Sequence, residues 1–149
     1  IWKDGRTGFP YIDACMRKLA AKGYLQNHEK KIVASFLIHA MNLDWRLGAE
    51  YFESIFINYD PCSVWGMWNY IAGISSDEKD GIELNCLREA QKYDPNGDLV
   101  RKWIPALKDM PKKYIHKPFQ LSEDDLKEFN IVLGADYPAP IHTVNKMVY

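Results

Sequence analysis

The sequence predicts an all-α fold, an irregular cluster of several short helices rather than an up-and-down bundle. Apolar residues recur at helical spacing in several segments, whereas no segment alternates apolar and polar residues over a useful length as a half-buried strand would. Eight prolines and nine glycines divide the helical pattern into short pieces. Such interruptions are typical of an irregular helical domain.

The first three helices have recognisable boundaries. Pro10 suits the first turn of a helix that runs to about Ala21, and Gly23 ends it. Asn27 is a favourable N-cap for the second helix, and Asp44 for the third. The apolar positions of the second helix form one stripe: Ile32, Val33, Phe36, Leu37, Ala40 and Met41.

The later elements are shorter. A fourth helix over residues 62–72, rich in aromatic side chains, follows the turn at residues 58–61, and residues 75–81 form a polar loop. The remaining helices are predicted at residues 85–92 with Asn85 as cap, at residues 98–103, and at residues 122–130 with a capping box of Ser122 and Asp125. From Tyr137 onward the sequence indicates an extended tail.

Composition excludes several classes of protein. The net charge of −1, with scattered basic residues, does not suggest nucleic-acid binding by electrostatics alone. Three cysteines without a CxxC motif or zinc-finger spacing indicate reduced thiols, an intracellular protein and no metal site. No apolar run reaches the roughly 18–20 residues of a membrane span. Residues 1–8 are unlike a signal peptide, and we expect further residues upstream of Ile1.

A set of short motifs extends along nearly the whole chain in a fixed order. They occupy residues 2–10 (WKDGRTGFP), 12–17, 33–37, 44–48, 51–52, 68–73, 93–97, 100–105, 115–118 and 137–141. Together they resemble the flavin-binding region of the photolyase/cryptochrome family. The motifs DPCS at 60–63, WG at 65–66 and WNY at 68–70 are most similar to the DASH branch of cryptochromes.

The resemblance implies a fold, a cofactor and an activity. Members of the family have an N-terminal α/β antenna domain and a helical domain that binds FAD, and DASH proteins are associated with repair of pyrimidine dimers, mainly in single-stranded DNA. Residues 1–149 resemble the later part of the helical domain. The antenna domain and the loop that holds the flavin's phosphates have no counterpart in the sequence.

The resemblance also assigns cofactor positions, and several carry altered residues. Asn27 keeps the family's Asn, but Lys30 and Ala40 replace the Arg and Asp that pair beside the flavin ring. Lys does not reproduce the planar, bidentate contact of Arg. Asn58 and Asp60 stand at two positions that are acidic in the family, and Val64 stands at the position of the Asn near the flavin's N5. Val64 neither donates nor accepts a hydrogen bond, and Asp60 before a proline is also an ordinary helix cap.

Four further positions carry the family's relay and DNA roles. Trp68 and Trp45 match two tryptophans of the electron relay, although both also suit an aromatic core. His28 stands where the family has a DNA-facing Arg, and it is a weaker phosphate partner. Tyr70 holds an aromatic position that suits stacking on a flipped-out base.

Two interpretations follow. In the first, the chain is a degenerate helical domain that has lost flavin photochemistry, binds no cofactor, has no enzymatic activity and serves as a structural or interaction subunit of a larger protein assembly. In the second, it is a fragment of a DASH-like flavoprotein that binds FAD for light-driven DNA repair, as a deoxyribodipyrimidine photolyase-like enzyme, or for blue-light sensing. The altered residues favour the first, because function is argued from the site. An organellar location is compatible with either.

Overall fold

The computed structural model describes residues 1–74 and 83–141. In this part of the chain the regular elements are helices, accompanied by one isolated bridge between Leu133 and Tyr137, which confirms the predicted all-α class. The predicted loop at residues 75–81 lies outside the described residues. The α-helices are α1 (Pro10–Lys22), α2 (Asn27–Ser35), α3 (Trp45–Ile55), α4 (Pro61–Ala72), α5 (Cys86–Tyr93), α6 (Asp98–Trp103) and α7 (Glu123–Glu128). A π-helical turn, Phe36–Ala40, extends α2, and 3₁₀ turns occupy Pro105–Leu107 and Pro118–Gln120.

Most predicted helix starts are confirmed by hydrogen bonds of the capping side chains. Asp44 accepts from the Arg46 amide at 2.9 Å, and Asn85 accepts from the Arg88 amide at 3.0 Å. The capping box of Ser122 is present at α7, which ends at Glu128 rather than at residue 130. These bonds satisfy amide groups that a helix leaves without internal partners.

The N-cap of α2 is Gln26, so the prediction of Asn27 is wrong by one residue. The backbone N–H of Gln26 donates to Glu29 Oε2 at 2.7 Å, and this bond is one half of a capping box. Glu29 is buried, and Lys18 Nζ donates to both of its carboxylate oxygens at 2.8 Å. A contact from α1 therefore fixes the start of α2, and local sequence does not reveal it.

The chain divides into two compact units. One comprises Ile1–Arg17 with Asn85–Tyr149, and the other comprises Lys18–Leu84. The core of the first unit is apolar and consists of Ala14, Val100, Ile104, Leu107, Met110, Ile115, Leu126, Ile131 and Tyr137. Beside it lies the buried Asp13, whose carboxylate accepts from the amides of Thr7 and Gly8 at 2.7 and 3.0 Å.

The second unit has a core in which aromatic rings are prominent. The Trp68 indole is fully buried, and its ring centroid lies 5.1 Å from that of Phe52 in an edge-on arrangement. A Cβ added to Gly48 of α3 would lie 2.1 Å from an indole carbon of Trp68. Only glycine allows this approach, and it brings α3 close to α4.

Candidate functional site

One pocket of the second unit brings α2 and α4 together. Asn27, Lys30 and Lys31 are spaced i, i+3 and i+4 on α2 and therefore share one helix face. The pocket has a volume of about 190 Å³ and is lined by Asn27, Lys30, Lys31, Ser63, Val64 and Met67. Three positions that the resemblance assigns to the flavin thus lie around one cavity: Asn27, Lys30 and Val64.

Lys30 has a partner of a different kind from a carboxylate. Its Nζ lies 4.7 Å from the centroid of the Phe56 ring, which is a cation–π contact. Ala40, at the position of the family's Asp, is buried and carries no charge. Among the ion pairs of residues 1–74 and 83–141, none involves Lys30. The ammonium group of the half-buried Lys30 is therefore stabilised by an aromatic face instead of a carboxylate.

The turn before α4 carries two candidates that do not line this pocket. Asn58 and Asp60 are exposed. Asp60 is the N-cap of α4: it accepts from the Cys62 amide at 3.2 Å and from the Ser63 hydroxyl. The Ser63 hydrogen bond lowers the pKa of the Asp60 carboxyl group. The arrangement matches a helix cap, whereas Val64, one turn later, is buried at the pocket wall.

The two relay candidates lie in different surroundings. Trp68 is in the core, against Phe52 and Gly48. Trp45 is half-buried, and its ring meets that of Trp65 edge-on at 5.4 Å. Trp65 in turn donates from Nε1 to the Tyr59 hydroxyl at 2.9 Å. Both tryptophans therefore have structural contacts that are sufficient reason for an aromatic residue, and their relay role stays a prediction.

The two candidates for DNA contact are more accessible. His28 is half-buried on α2, and Tyr70 on α4 exposes 47% of its surface. Neither lines the pocket. An exposed aromatic ring is available for stacking, so the DNA role of Tyr70 also stays a prediction.

Sequence reasoning missed half of the pocket lining. Lys31, Ser63 and Met67 were not singled out, although each is one helical turn from a residue that was. Lys31 follows Asn27 by four positions, Ser63 follows Asp60 by three, and Met67 follows Val64 by three. Helical spacing on α2 and α4 was the signal that would have found them.

Residues 1–74 and 83–141 contain no group of three or more His, Cys, Asp or Glu side chains placed to hold a metal ion. In the same residues, no helix is both long enough and apolar enough to cross a membrane.

Comparisons with known proteins identify the class to which this chain belongs. Residues 1–148 match the profile of the FAD binding domain of DNA photolyase, so the chain belongs to the photolyase/cryptochrome family. Cryptochrome DASH from Synechocystis sp. is 46% identical over 140 residues, which are 94% of this chain and 29% of that protein. The crystal structure of the Synechocystis sp. PCC6803 cryptochrome matches with a TM-score of 0.90 and 47% identity, over 93% of this chain and 29% of that one.

The chain therefore spans less than a third of the length of these relatives. A third match is the archaeal photolyase from Sulfolobus tokodaii, whose structure contains two FAD molecules. It has a TM-score of 0.81 and 36% identity, over 94% of this chain and 30% of that one. These matches confirm both the predicted family and its DASH-like character.

The expectation that the chain binds no cofactor is wrong. Nearly the whole chain matches a FAD-binding family, and the archaeal relative of known structure contains FAD. The expectation rested on the replaced Arg, Asp and Asn, treated as a dismantled site. The structure shows instead that Asn27, Lys30 and Val64 still surround one cavity. The replacements at Lys30 and Val64 change the electrostatics of the pocket without removing the pocket.

The pocket residues fit part of a flavin. Asn27, Ser63 and the two lysines supply hydrogen-bond donors, while Val64 and Met67 supply an apolar wall. A flat ring with polar edges needs this combination. Sites that enclose a drug-sized ligand have volumes of about 300–1,000 Å³, so the smaller pocket here suits one portion of FAD.

Proposed function

We propose that this chain forms part of the FAD-binding helical region of a DASH-type flavoprotein that uses light to repair pyrimidine dimers in single-stranded DNA. The observation that carries the proposal is the convergence of Asn27, Lys30 and Val64 on one pocket between α2 and α4. Asn27 and Lys30 lie on α2 and Val64 lies on α4, so their convergence depends on the packing of two helices, and it agrees with a shared ligand. The 46% identity to a cryptochrome DASH supports the branch.

The residues of this chain would hold the cofactor at its polar edge. The Asn27 amide and the Ser63 hydroxyl are placed to hydrogen-bond ring or side-chain oxygens, and Lys30 supplies positive charge. Val64 and Met67 exclude water from one side of the pocket. The flavin, when bound, supplies the light-driven electron chemistry, and the protein supplies orientation and electrostatics.

Absorption of the purified protein tests flavin binding, with one variant directed at the pocket. Met67→Trp places a larger ring in the pocket, whereas Gly66→Ala on the same helix points into open space. We expect a stoichiometric flavin spectrum for the wild type and for Gly66→Ala, and a reduction of at least about tenfold in flavin affinity for Met67→Trp. Stoichiometric flavin in a folded Met67→Trp protein would place the cofactor elsewhere.

Repair is tested separately with a single-stranded oligonucleotide that contains one pyrimidine dimer. The proposal predicts light-dependent restoration of the two pyrimidines, together with weaker binding of the lesion by Tyr70→Ala. Tyr70 is exposed, so this substitution leaves the core intact. Tyr93→Ala is the matched control, because Tyr93 is an exposed tyrosine on a helix of the other unit.

A second candidate function is a structural or interaction role without photochemistry, in which the chain serves as a subunit of a larger assembly. Lys30, Ala40 and Val64 favour it, because they lack the guanidinium, carboxylate and amide groups that the family has at these positions. Exposed apolar side chains on the second unit also favour it: Ile57 at 77%, Ile74 at 59% and Leu47 at 51% exposure. A flavin-loaded protein that leaves dimers intact under light would support this candidate over repair.

A further inference from the structure

The pocket between α2 and α4 carries positive charge that its own lining does not balance. Lys30 and Lys31 line it, and the other lining residues are the uncharged Asn27, Ser63, Val64 and Met67. The Asp60 carboxylate, close in sequence, is exposed and accepts from Cys62 and Ser63. The cavity therefore favours a ligand, or a state of a ligand, that carries negative charge.

Lys30 is the better positioned of the two lysines. Its Nζ lies over the Phe56 ring at 4.7 Å, and Phe56 exposes only 8% of its surface. Phe56 is itself held by an edge-on contact with Phe52, with ring centroids 4.8 Å apart. Lys31 is exposed, so solvent screens its charge more strongly. Phe56 thus acts as a positioning residue for a cation that has no carboxylate partner within the described residues.

Fixed positive charge at the pocket discriminates between oxidation states of a flavin. Reduction of the neutral oxidised ring takes up two electrons and, near neutral pH, one proton, which leaves one negative charge on the ring system. The ammonium group of the half-buried Lys30 interacts favourably with that charge and has no equivalent interaction with the neutral ring. Charge near the flavin ring is one of the means by which a protein tunes the cofactor.

We propose that Lys30, positioned by Phe56, makes this pocket bind reduced flavin more tightly than oxidised flavin and so raises the reduction potential of the cofactor. The inference rests on the proposed function, because it requires FAD in this pocket. It assigns Lys30 an electrostatic role that does not depend on a paired carboxylate. Binding and reduction are linked, so a difference in affinity between the two states must appear as a shift in potential.

The test is a reductive titration of the purified flavoprotein with dithionite and mediator dyes, followed by absorption. Lys30→Met removes the charge and keeps the length of the side chain. We expect it to lower the preference for reduced flavin about tenfold, which is about 30 mV for a two-electron couple. Lys30→Arg keeps the charge and should retain most of the potential. Lys22→Met, an exposed lysine of α1 outside the pocket lining, is the matched control and should leave the potential unchanged.

Phe56→Leu tests the positioning role. It removes the ring and keeps an apolar side chain, and we expect a downward shift smaller than that of Lys30→Met. Phe56→Tyr keeps an aromatic face and should restore the wild-type potential. In the double variant Lys30→Met with Phe56→Leu, the leucine should add no further shift, because the ring acts through the lysine.

The outcomes distinguish a failure of this inference from a failure of the proposed function. A wild-type protein without flavin would overturn the proposed function and the inference with it. A flavin-loaded wild type whose potential equals that of folded Lys30→Met would overturn the inference alone. Circular dichroism of each variant establishes the fold, and should Lys30→Met not fold, Lys30→Gln gives the same comparison.

Discussion

The Tyr137 hydroxyl donates to Asp13 Oδ2 at 2.5 Å, and this bond joins two residues that are 124 positions apart. Both side chains are buried. Burial is the main influence on Asp13 and raises the pKa of its carboxyl group, although the hydrogen bonds from Thr7, Gly8 and Tyr137 oppose the rise. Burial and the neighbouring Asp13 also raise the pKa of Tyr137, so the phenol stays a donor.

Tyr137→Phe should destabilise the protein more at neutral pH than in acid. Removing the phenol removes a bond that favours the charged carboxylate, so the pKa of Asp13 rises further. The cost of the substitution therefore grows as pH rises from the folded pKa of Asp13 in the wild type, itself above the reference value of 3.8, to its higher folded pKa in the variant, and then levels off. We expect a loss of about 1–3 kcal/mol at neutral pH, measured by urea unfolding.

Tyr114→Phe is the matched control for this substitution. Tyr114 is half-buried and lies in the same unit of the structure. Its loss of a hydroxyl group should change the free energy of unfolding by less than about 0.5 kcal/mol, independent of pH. Equal effects of the two substitutions at every pH would show that the bond to Asp13 contributes nothing specific.

Two glycine-to-alanine substitutions should change stability in opposite directions. At Gly48 a Cβ would meet the Trp68 indole at 2.1 Å, so Gly48→Ala forces the ring to move and should cost about 1–3 kcal/mol. At Gly66 of α4 a Cβ meets nothing within 4 Å. Gly66→Ala should stabilise by about 0.5–1 kcal/mol, because alanine is the better helix former.

Thermal unfolding and tryptophan fluorescence measure both glycine variants. The emission of Gly48→Ala should change because the Trp68 environment is disturbed, whereas that of Gly66→Ala should match the wild type. A stable Gly48→Ala protein with unchanged emission would contradict the close approach of α3 and α4.

The three thiols should differ sharply in reactivity. Cys62 is exposed, while Cys15 and Cys86 are buried. Burial raises the pKa of the Cys86 thiol to about 12, which leaves almost no thiolate at neutral pH. A thiol reagent should therefore modify one cysteine rapidly in the native protein and three after denaturation, and Cys62→Ser should abolish the rapid phase. Rapid modification of a second cysteine in the native protein would be inconsistent with this core.

The buried His116 should make stability rise with pH, whereas the buried Asp13 makes it fall. Burial lowers the pKa of its ring below 6.5, and the positive charge of Arg101 lowers it further. The hydrogen bond to the Asp94 carbonyl and the negative charge of Asp94 oppose this decrease. Between the folded pKa and 6.5 the unfolded chain binds more protons, so stability rises with pH across that interval and is constant above it. The slope is at most about 1.4 kcal/mol per pH unit.

His116→Gln should flatten this dependence. His116 Nε2 lies 2.6 Å from the Asp94 carbonyl oxygen, and the Gln amide can donate to the same oxygen without titrating. Unfolding free energies measured between pH 5 and 7.5 should lose the acid-side slope that belongs to the histidine. An unaltered slope in this variant would assign the pH dependence to other groups.

Local sequence was sufficient for most of the helices. Pro10, Asp44 and Asn85 begin or cap helices because their preferences act within a few residues. The cap at Gln26 was missed because it depends on Glu29, which is held by a lysine of another helix. The π-helical turn at Phe36–Ala40 likewise has no short-range signal that the apolar stripe would disclose.

The lining of the pocket was predictable only in part, because Asn58 and Asp60 were also assigned to the cofactor and do not line it. The resemblance placed Asn27, Lys30 and Val64 at cofactor positions, and these three do share a pocket. The sequence did not show that the Lys30 charge would lie over Phe56, because residue type alone does not specify a partner 26 positions away. The wrong expectation about the cofactor came from treating the replaced Arg, Asp and Asn as a dismantled site, and the match to a FAD-binding family overturned it.

The division of the first unit between the two ends of the chain has a consequence for biosynthesis. Asp13 leaves the ribosome long before Tyr137, its partner 124 residues later. At about 5–20 residues per second, translation separates the two by roughly 6–25 seconds. The unit of residues 18–84 is contiguous in sequence, so it can fold before the ribosome has synthesised Tyr137, the partner of Asp13. We expect nascent chains truncated before Tyr137 to protect the contiguous unit from protease and to leave residues 1–17 open to cleavage.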